Sequence, residues 1–489
     1  MSTIIVVGAG SAGMTLAWRL SQDPGNHVVL VEAGADPGPR VPDSLRREML
    51  LPAEYYWPYT EADTGAFLPR GRVMGGSSAV NAAAAVRGQP WCFDSWQLPG
   101  WGWQDCLPAF VALERDEQFG TADYHGDGGP IPITRYTPGG FDAVFGEQYA
   151  SLGHREIADH NAPGQIGFAP WPTNRVGDDR ASTLLTLLPD LRTRPNVQLR
   201  PATEVRRILF DGDTARGVVL ASPGPDGTAD THGEQIVEGD LVVVCAGTFG
   251  TPELLFASGI GDPAQLAKAG VGVRAALPAV GRNLGDHAFL QMVVHVTDPA
   301  RYALGAGRGT LLTFELDEPG NHLAHLFAYQ TAFFDPTADA AQASVTVSLM
   351  SPVSRGHLDL GTGPRAGVHL GHYTHPDDVR RGAQILSRTR EVIAGVAATG
   401  LIKVPDNAWW TSDDAGSRLR EVAVTYHHPA GTARMGSDDD AVVDPTLKVR
   451  GVDGLYVADA SVMPKLPRAT PNLATMMIGW RAADFLPTR

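Results

Sequence analysis

The chain has 489 residues, 43% of them hydrophobic and 19% charged, which suits two or three folding units with large buried cores. A formal charge of −15 argues against nucleic acid or an anionic membrane surface as partner. Cys92, Cys106 and Cys245 are too few and too scattered for a disulfide framework or a zinc site, and no run approaches the ~20 apolar residues of a membrane span. The chain opens directly on a strand-like run with no basic n-region, so a soluble, cytoplasmic protein without a metal is expected.

That first run, Ile4 to Val7, is β-branched and has strand character. Gly8-x-Gly10-x-x-Gly13 follows at once, and Met14 to Leu20 is predicted to be helical. The three glycines suit a tight turn, close backbone approach to a pyrophosphate, and helix–strand packing, with the anion at the helix N-terminus. A second predicted strand, His27 to Glu32, ends in an acid about 20 residues beyond Gly13, placed to take ribose hydroxyls. These features indicate an adenine dinucleotide and leave NAD and FAD open.

Residues 33–39 form a Gly/Pro loop, and Tyr55, Tyr56, Trp57, Tyr59 and Phe67 follow without helical period. A second glycine cluster, Arg70 to Asn81, carries Gly75-Gly76 for close approach and Ser77, Ser78 and Asn81 for hydrogen bonding. Trp91, Trp96, Trp101 and Trp103 are read mostly as core, and Leu107 to Glu114 as a short helix. Asn196 to Arg200 and Val218 to Leu220 are predicted strands, and Leu241 to Cys245 a buried parallel one with Cys245 in the core. A helix is predicted to open at Thr251-Pro252, where a missing N–H is tolerated. From about 293 to 423 the pattern changes. Ala343 to Leu349 and Val368 to Tyr373 alternate as antiparallel strands, and a helix is predicted from His375-Pro376 to about Ala398.

These residues resemble the glucose–methanol–choline (GMC) family of flavin oxidoreductases. The resemblance rests on Gly71-Arg-Val-Met-Gly-Gly-Ser-Ser-Ala-Val-Asn81, on Gly247 to Gly261, and on shorter blocks. The blocks are Gly281-Arg-Asn-Leu-Gly-Asp-His287, Ser354-Arg-Gly356, His428-Pro-Ala-Gly-Thr-Ala-Arg-Met-Gly436, Val443-Asp-Pro445 and Gly454 to Ser461. Residues 87–135 look closest to the bacterial branch that includes hydroxymethylfurfural oxidase, with the mycofactocin-linked dehydrogenases as the other candidate branch. The resemblance implies FAD. It also implies an α/β fold: a Rossmann-like FAD-binding domain from a discontinuous chain (1–90, 196–292 and 424–489), and an α+β substrate domain on a mostly antiparallel sheet (91–195 and 293–423). By the family pattern Gly8, Gly10, Ser11, Ala12 and Gly13 hold the pyrophosphate, and Glu32 with Ala33 the adenosine ribose. Val73, Gly75, Gly76 and Asn81 run along the pyrophosphate and flavin, Val205 meets the adenine, and Ala246, Asp459, Ala460, Asn472 and Leu473 complete the site. Val80 stands where some members attach the flavin through His, so non-covalent FAD is expected.

The reaction implied is oxidation of an alcohol to an aldehyde or ketone, with His428 as base and hydride passing to flavin N5. An alcohol near water's ~15.7 would yield its proton to a free histidine (about 6.5) only at a cost of roughly 12 kcal/mol. Deprotonation therefore accompanies hydride loss, or the alkoxide is stabilised locally. His427 is taken as structural, because adjacent side chains on an extended segment point opposite ways. The second catalytic position, usually His or Asn, is Thr470, which cannot be a useful base; Asn472 or a water is the alternative. Two other readings stand beside oxidation: a lyase on the same scaffold with FAD structural, and a non-catalytic flavoprotein. A small alcohol, with the 55–103 aromatics leaning toward an apolar or aromatic one, and oxygen, a quinone or another carrier as electron acceptor, complete the expected partners.

Overall fold

The structure, a computed structural model, describes residues 2–49, 51–223, 229–298, 309–317, 323–330, 338–339, 341–359 and 365–488. At its centre is a five-stranded parallel sheet in the order Leu455–Val457, Leu241–Val244, Ser2–Val7, Asn26–Val31, Val197–Arg200. Ile4, Ile5 and Val6, like Val242, Val243 and Val244, are fully buried, as β-branched runs covered on both faces should be. Ser11–Leu20 is the helix that leaves the first strand. It begins three residues before the predicted start, inside the glycine motif, because Gly10 already accepts from the Met14 N–H. It packs on the C-terminal helix Pro471–Phe485, where a Cβ on Gly479 would sit 2.3 Å from the Ala12 carbonyl oxygen.

Two helix starts differ from expectation for one shared reason: proline sits inside the helix rather than at its head. Trp103–Leu113 contains Pro108, and Gly247–Ala257 contains Pro252. Proline at 252 leaves the Thr248 carbonyl without its helical donor. The Thr432 hydroxyl supplies one instead, at 2.6 Å. A tertiary contact thus permits what local sequence argued against.

The second layer is antiparallel. Ile402–Lys403, Ala288–Val296, Gln342–Leu349, Leu323–Gln330, Thr310–Glu315 and Phe168–Pro170 pair in that order, with Val424–Thr425 on the Ala288–Val296 strand. The long helix Pro376–Ala398 covers this sheet and buries Ile385, Leu386, Val392, Ile393 and Val396. Val368 to Tyr373 is not one of its strands. Only Gly367–His369 pairs, with His357–Asp359, and Tyr373 turns at φ 51°. The cores divide the chain differently from the expected boundaries. Ala288–Val296 crosses position 292 as one strand of the antiparallel sheet, while Trp96, Trp101, Trp103 and Leu184 pack into the core of the parallel sheet. No helix among the described residues is long and apolar enough to cross a membrane.

Candidate active site

A cavity of about 1510 Å³ runs from the carboxyl ends of the parallel strands to the antiparallel sheet. Gly8, Gly10, Ser11, Ala12, Glu32, Ala33, Gly76, Asn81, Val205, Ala246, Asp459, Ala460, Thr470, Asn472 and His428 all line it. Gly13, Val73, Gly75 and Leu473 do not, and stand behind the wall. Gly13 is there for packing, since a Cβ would fall 1.9 Å from the Gly8 carbonyl oxygen. Gly75, at φ 98°, is pressed against Leu184, and Leu473 is 4% exposed in the core.

The two glycine clusters, some seventy positions apart in sequence, meet. The Gly75 N–H donates to the Ala9 carbonyl at 2.8 Å, and a Cβ on Gly76 would lie 2.7 Å from Gly10 Cα. Gly10 itself has no other atom within 4 Å of its Cβ position, leaving room at the head of Ser11–Leu20, where the first N–H groups lack helical partners. Arg180, fully buried, holds the second loop by donating to the Ala79 and Asn81 carbonyls.

Glu32 accepts from the Ala9 and Gly34 N–H groups at 2.8 and 2.7 Å, which aims one carboxylate oxygen at each side of the turn. Burial nevertheless pushes its pKa up to about 7. Asp459 accepts from the Gly247 N–H, the Thr251 hydroxyl and the Ser461 N–H, tying two helix starts together beneath the cavity.

At the other end, His428 is 8% exposed and makes three contacts. Its N–H donates to Asp286 Oδ1 at 2.9 Å, its Nδ1 lies 3.0 Å from His287 Nδ1, and its ring stacks on Tyr426 at 4.1 Å. Burial holds its pKa well below the usual histidine value, and the neighbouring His287 lowers it further. Tyr426 in turn lies 3.7 Å from Phe289 and 6.0 Å from Phe327, which meets Trp171 edge-on at 5.1 Å. His427 also lines the cavity. Its φ is 64°, so the segment is not extended there, and the argument that only one of the two histidines can face inward does not hold. The four tryptophans of 91–103 lie outside the cavity lining, whereas Tyr56, Trp57, Tyr59 and Phe67 line it.

Thr470 stands in the expected place but is already engaged. Its hydroxyl donates to the Val86 carbonyl at 3.0 Å and approaches that of Ala84 at 3.3 Å, leaving only lone pairs for a ligand. Asn472 accepts from the Ser11 hydroxyl at 2.7 Å, while its buried Nδ2 has no partner among the described residues. That donor, the open space at Gly10 and the turned Glu32 fit a dinucleotide reaching from the parallel sheet to His428. His287, Phe289, Phe327 and Tyr426 were not singled out from sequence. His287 closes the Gly281–His287 block and Tyr426 precedes the histidine pair, but Phe289 and Phe327 carry no local signal. A surface group, His357, Asp359 and His369, has metal-ligating atoms within 4.8 Å of one another. Its two rings stack at 9° with centroids 4.5 Å apart, so their in-plane lone pairs lie in separate, nearly parallel planes and are poorly placed to meet at one ion.

A parallel dinucleotide sheet, two apposed glycine loops and a buried histidine under an aromatic wall suit a dinucleotide-dependent oxidoreductase. The chain belongs to the GMC oxidoreductase family, matching its N-terminal domain over residues 2–289 and its C-terminal domain over 352–479. It is 31% identical to a 5-(hydroxymethyl)furfural oxidase of Methylovorus sp. over 99% of this chain and 98% of the relative. It is also 31% identical to an oxygen-dependent choline dehydrogenase of Escherichia coli, covering 99% and 95% respectively. The crystal structure of pyridoxine 4-oxidase from Mesorbium loti superposes with a TM-score of 0.84 at 30% identity, covering 99% of both chains. FAD is the cofactor, and FAD-dependent oxidation of alcohols is the activity.

Proposed function

We propose that this enzyme oxidises an alcohol whose body is flat and apolar, an aryl or heteroaryl carbinol, with His428 taking the hydroxyl proton. The observation that carries this is the wall beside His428: Tyr426 stacked on its ring, then Phe289, Phe327 and Trp171. Such rings favour offset and edge contacts with another ring. FAD, when bound, supplies the hydride acceptor at N5. His428 supplies the base, and the Asp286 carboxylate fixes its backbone. Thr470 serves as an acceptor or a wall rather than as a second base. Asn472 Nδ2 is the polar donor left for the cofactor or the developing oxyanion. Val80 offers no nucleophile, which favours non-covalent FAD.

Two measurements test this. Anaerobic flavin reduction by a panel of benzyl, furfuryl, pyridine, sugar and amino alcohols is expected to rank the aryl and heteroaryl members first. Choline or a sugar ranking first would overturn the substrate class, and admitting air afterwards separates an oxidase from a dehydrogenase. The pH dependence tests the base. A base works when neutral, and burial among Arg70, His287, His325 and His427 keeps His428 neutral as the pH falls. The limiting reduction rate should therefore stay flat on descending through about 6.5, the free-histidine value, and fall only well below it. An acid limb centred at the free value would contradict the buried base.

A further inference from the structure

The proton transfer assigned to His428 leaves its nearest titratable neighbour, His287, unused. His287 is fully buried, and its Nε2 lies 3.2 Å from the Met350 carbonyl. A carbonyl only accepts, so Nε2 carries a proton. Burial lowers the His287 pKa to about 4, so near neutral pH the ring holds that one proton and its Nδ1 is a bare lone pair. The 3.0 Å contact between the two Nδ1 atoms then needs its proton from His428. A neutral His428 bearing that proton on Nδ1 has a bare Nε2; among the described residues only its Nδ1 and backbone N–H have hydrogen-bond partners, and the residue lines the cavity.

We propose that His287 is a positioning residue that holds His428 in its Nδ1–H tautomer, so that the Nε2 lone pair faces the alcohol. This rests on His428 being the base. The opposite tautomer would present an N–H to the substrate hydroxyl and could not take its proton. During the reaction the alcohol O–H bond breaks and an N–H bond forms at Nε2. The hydride leaves carbon for FAD, and the Nδ1 proton stays in its bond to His287. The Met350 carbonyl, on the antiparallel sheet's side, thereby reads through two rings into the protonation state of the base. In a serine protease the wrong tautomer costs about 10⁴ in rate, which sets the scale available to such a device.

The test uses the holoenzyme labelled with ¹⁵N in histidine, the His428 signals being identified by their loss in His428→Gln. The wild-type spectrum is expected to show His428 protonated at Nδ1 at neutral pH. Protonation at Nε2 would overturn the proposal even if neither His287 variant folds. In anaerobic stopped flow with the alcohol that reduces wild type fastest, His287→Leu is expected to lower the limiting reduction rate about 100-fold or more. Substrate affinity should change little. His287→Asn places an oxygen acceptor near the Nδ1 position and is expected to recover most of the rate. Equal impairment of both variants, or an unimpaired His287→Leu with its FAD in place, would overturn the proposal. Full reduction by His428→Gln would instead remove the base reading beneath it, so the two failures are distinguishable.

Discussion

His428→Ala is expected to bind FAD and melt near the wild-type temperature while losing about 10³-fold or more in the rate of flavin reduction by alcohol, the upper half of the range for general base catalysis. The backbone reasons for a preserved fold are specific. The 428 N–H still donates to Asp286, and Pro429, whose carbonyl accepts from the Thr248 hydroxyl at 2.7 Å, is untouched. The variant leaves His287 Nδ1 without its donor and opens a small hole beside Tyr426, at a cost of about 1–3 kcal/mol. Stopped-flow reduction at saturating alcohol, with FAD content measured by absorbance, decides it. A holoenzyme variant reduced within tenfold of wild type would show that no base at this position is needed.

Gly13→Ala is expected to lose FAD and to unfold at a markedly lower temperature, a destabilisation of about 3 kcal/mol or more. Helix propensity points the other way, since alanine in a helix interior is favoured over glycine by about 1 kcal/mol. Tertiary structure reverses the sign. The new Cβ would stand 1.9 Å from the Gly8 carbonyl oxygen and 3.0 Å from Cys245 Cβ, and Gly8 cannot retreat. Its own N–H is bonded to the Val31 carbonyl at 2.7 Å, and its φ is 101°. Moving that turn would move the backbone of Gly8, Gly10 and Ser11, which lines the cavity proposed to take FAD. Thermal unfolding and FAD retention on gel filtration measure the two effects together, and a variant as stable as wild type with full FAD would refute the packing argument.

The legibility of the site follows from where its signals lie. Gly8, Gly10 and Glu32 are readable because one turn, one strand and one ribose-length spacing are local. The second glycine loop is readable as a motif, but that it touches Gly10 is not. The antiparallel sheet is poorly legible because its pairing partners, such as Phe168–Pro170 beside Thr310–Glu315, are far apart in sequence. One of its inner strands, Ala288–Val296, also crosses the boundary that the change of pattern suggested. Pro252 was misplaced because a proline inside a helix is tolerable only once a distant threonine supplies the lost donor.

At the reacting end the division is sharper. The sequence by itself determined a dinucleotide turn from residue types at short spacing and, through blocks that resemble a known family, the FAD-binding fold and which histidine to examine. Only the tertiary structure decided that His427 is not held in an extended segment and that the Thr470 hydroxyl is already donating to the Val86 carbonyl. It alone put Phe289 and Phe327 at the wall and His287 against His428. The physical reason is that hydrogen-bond partners and ring contacts are set by three-dimensional distance, and His287–His428, Phe289–Tyr426 and Thr470–Val86 each join positions more than a hundred residues apart.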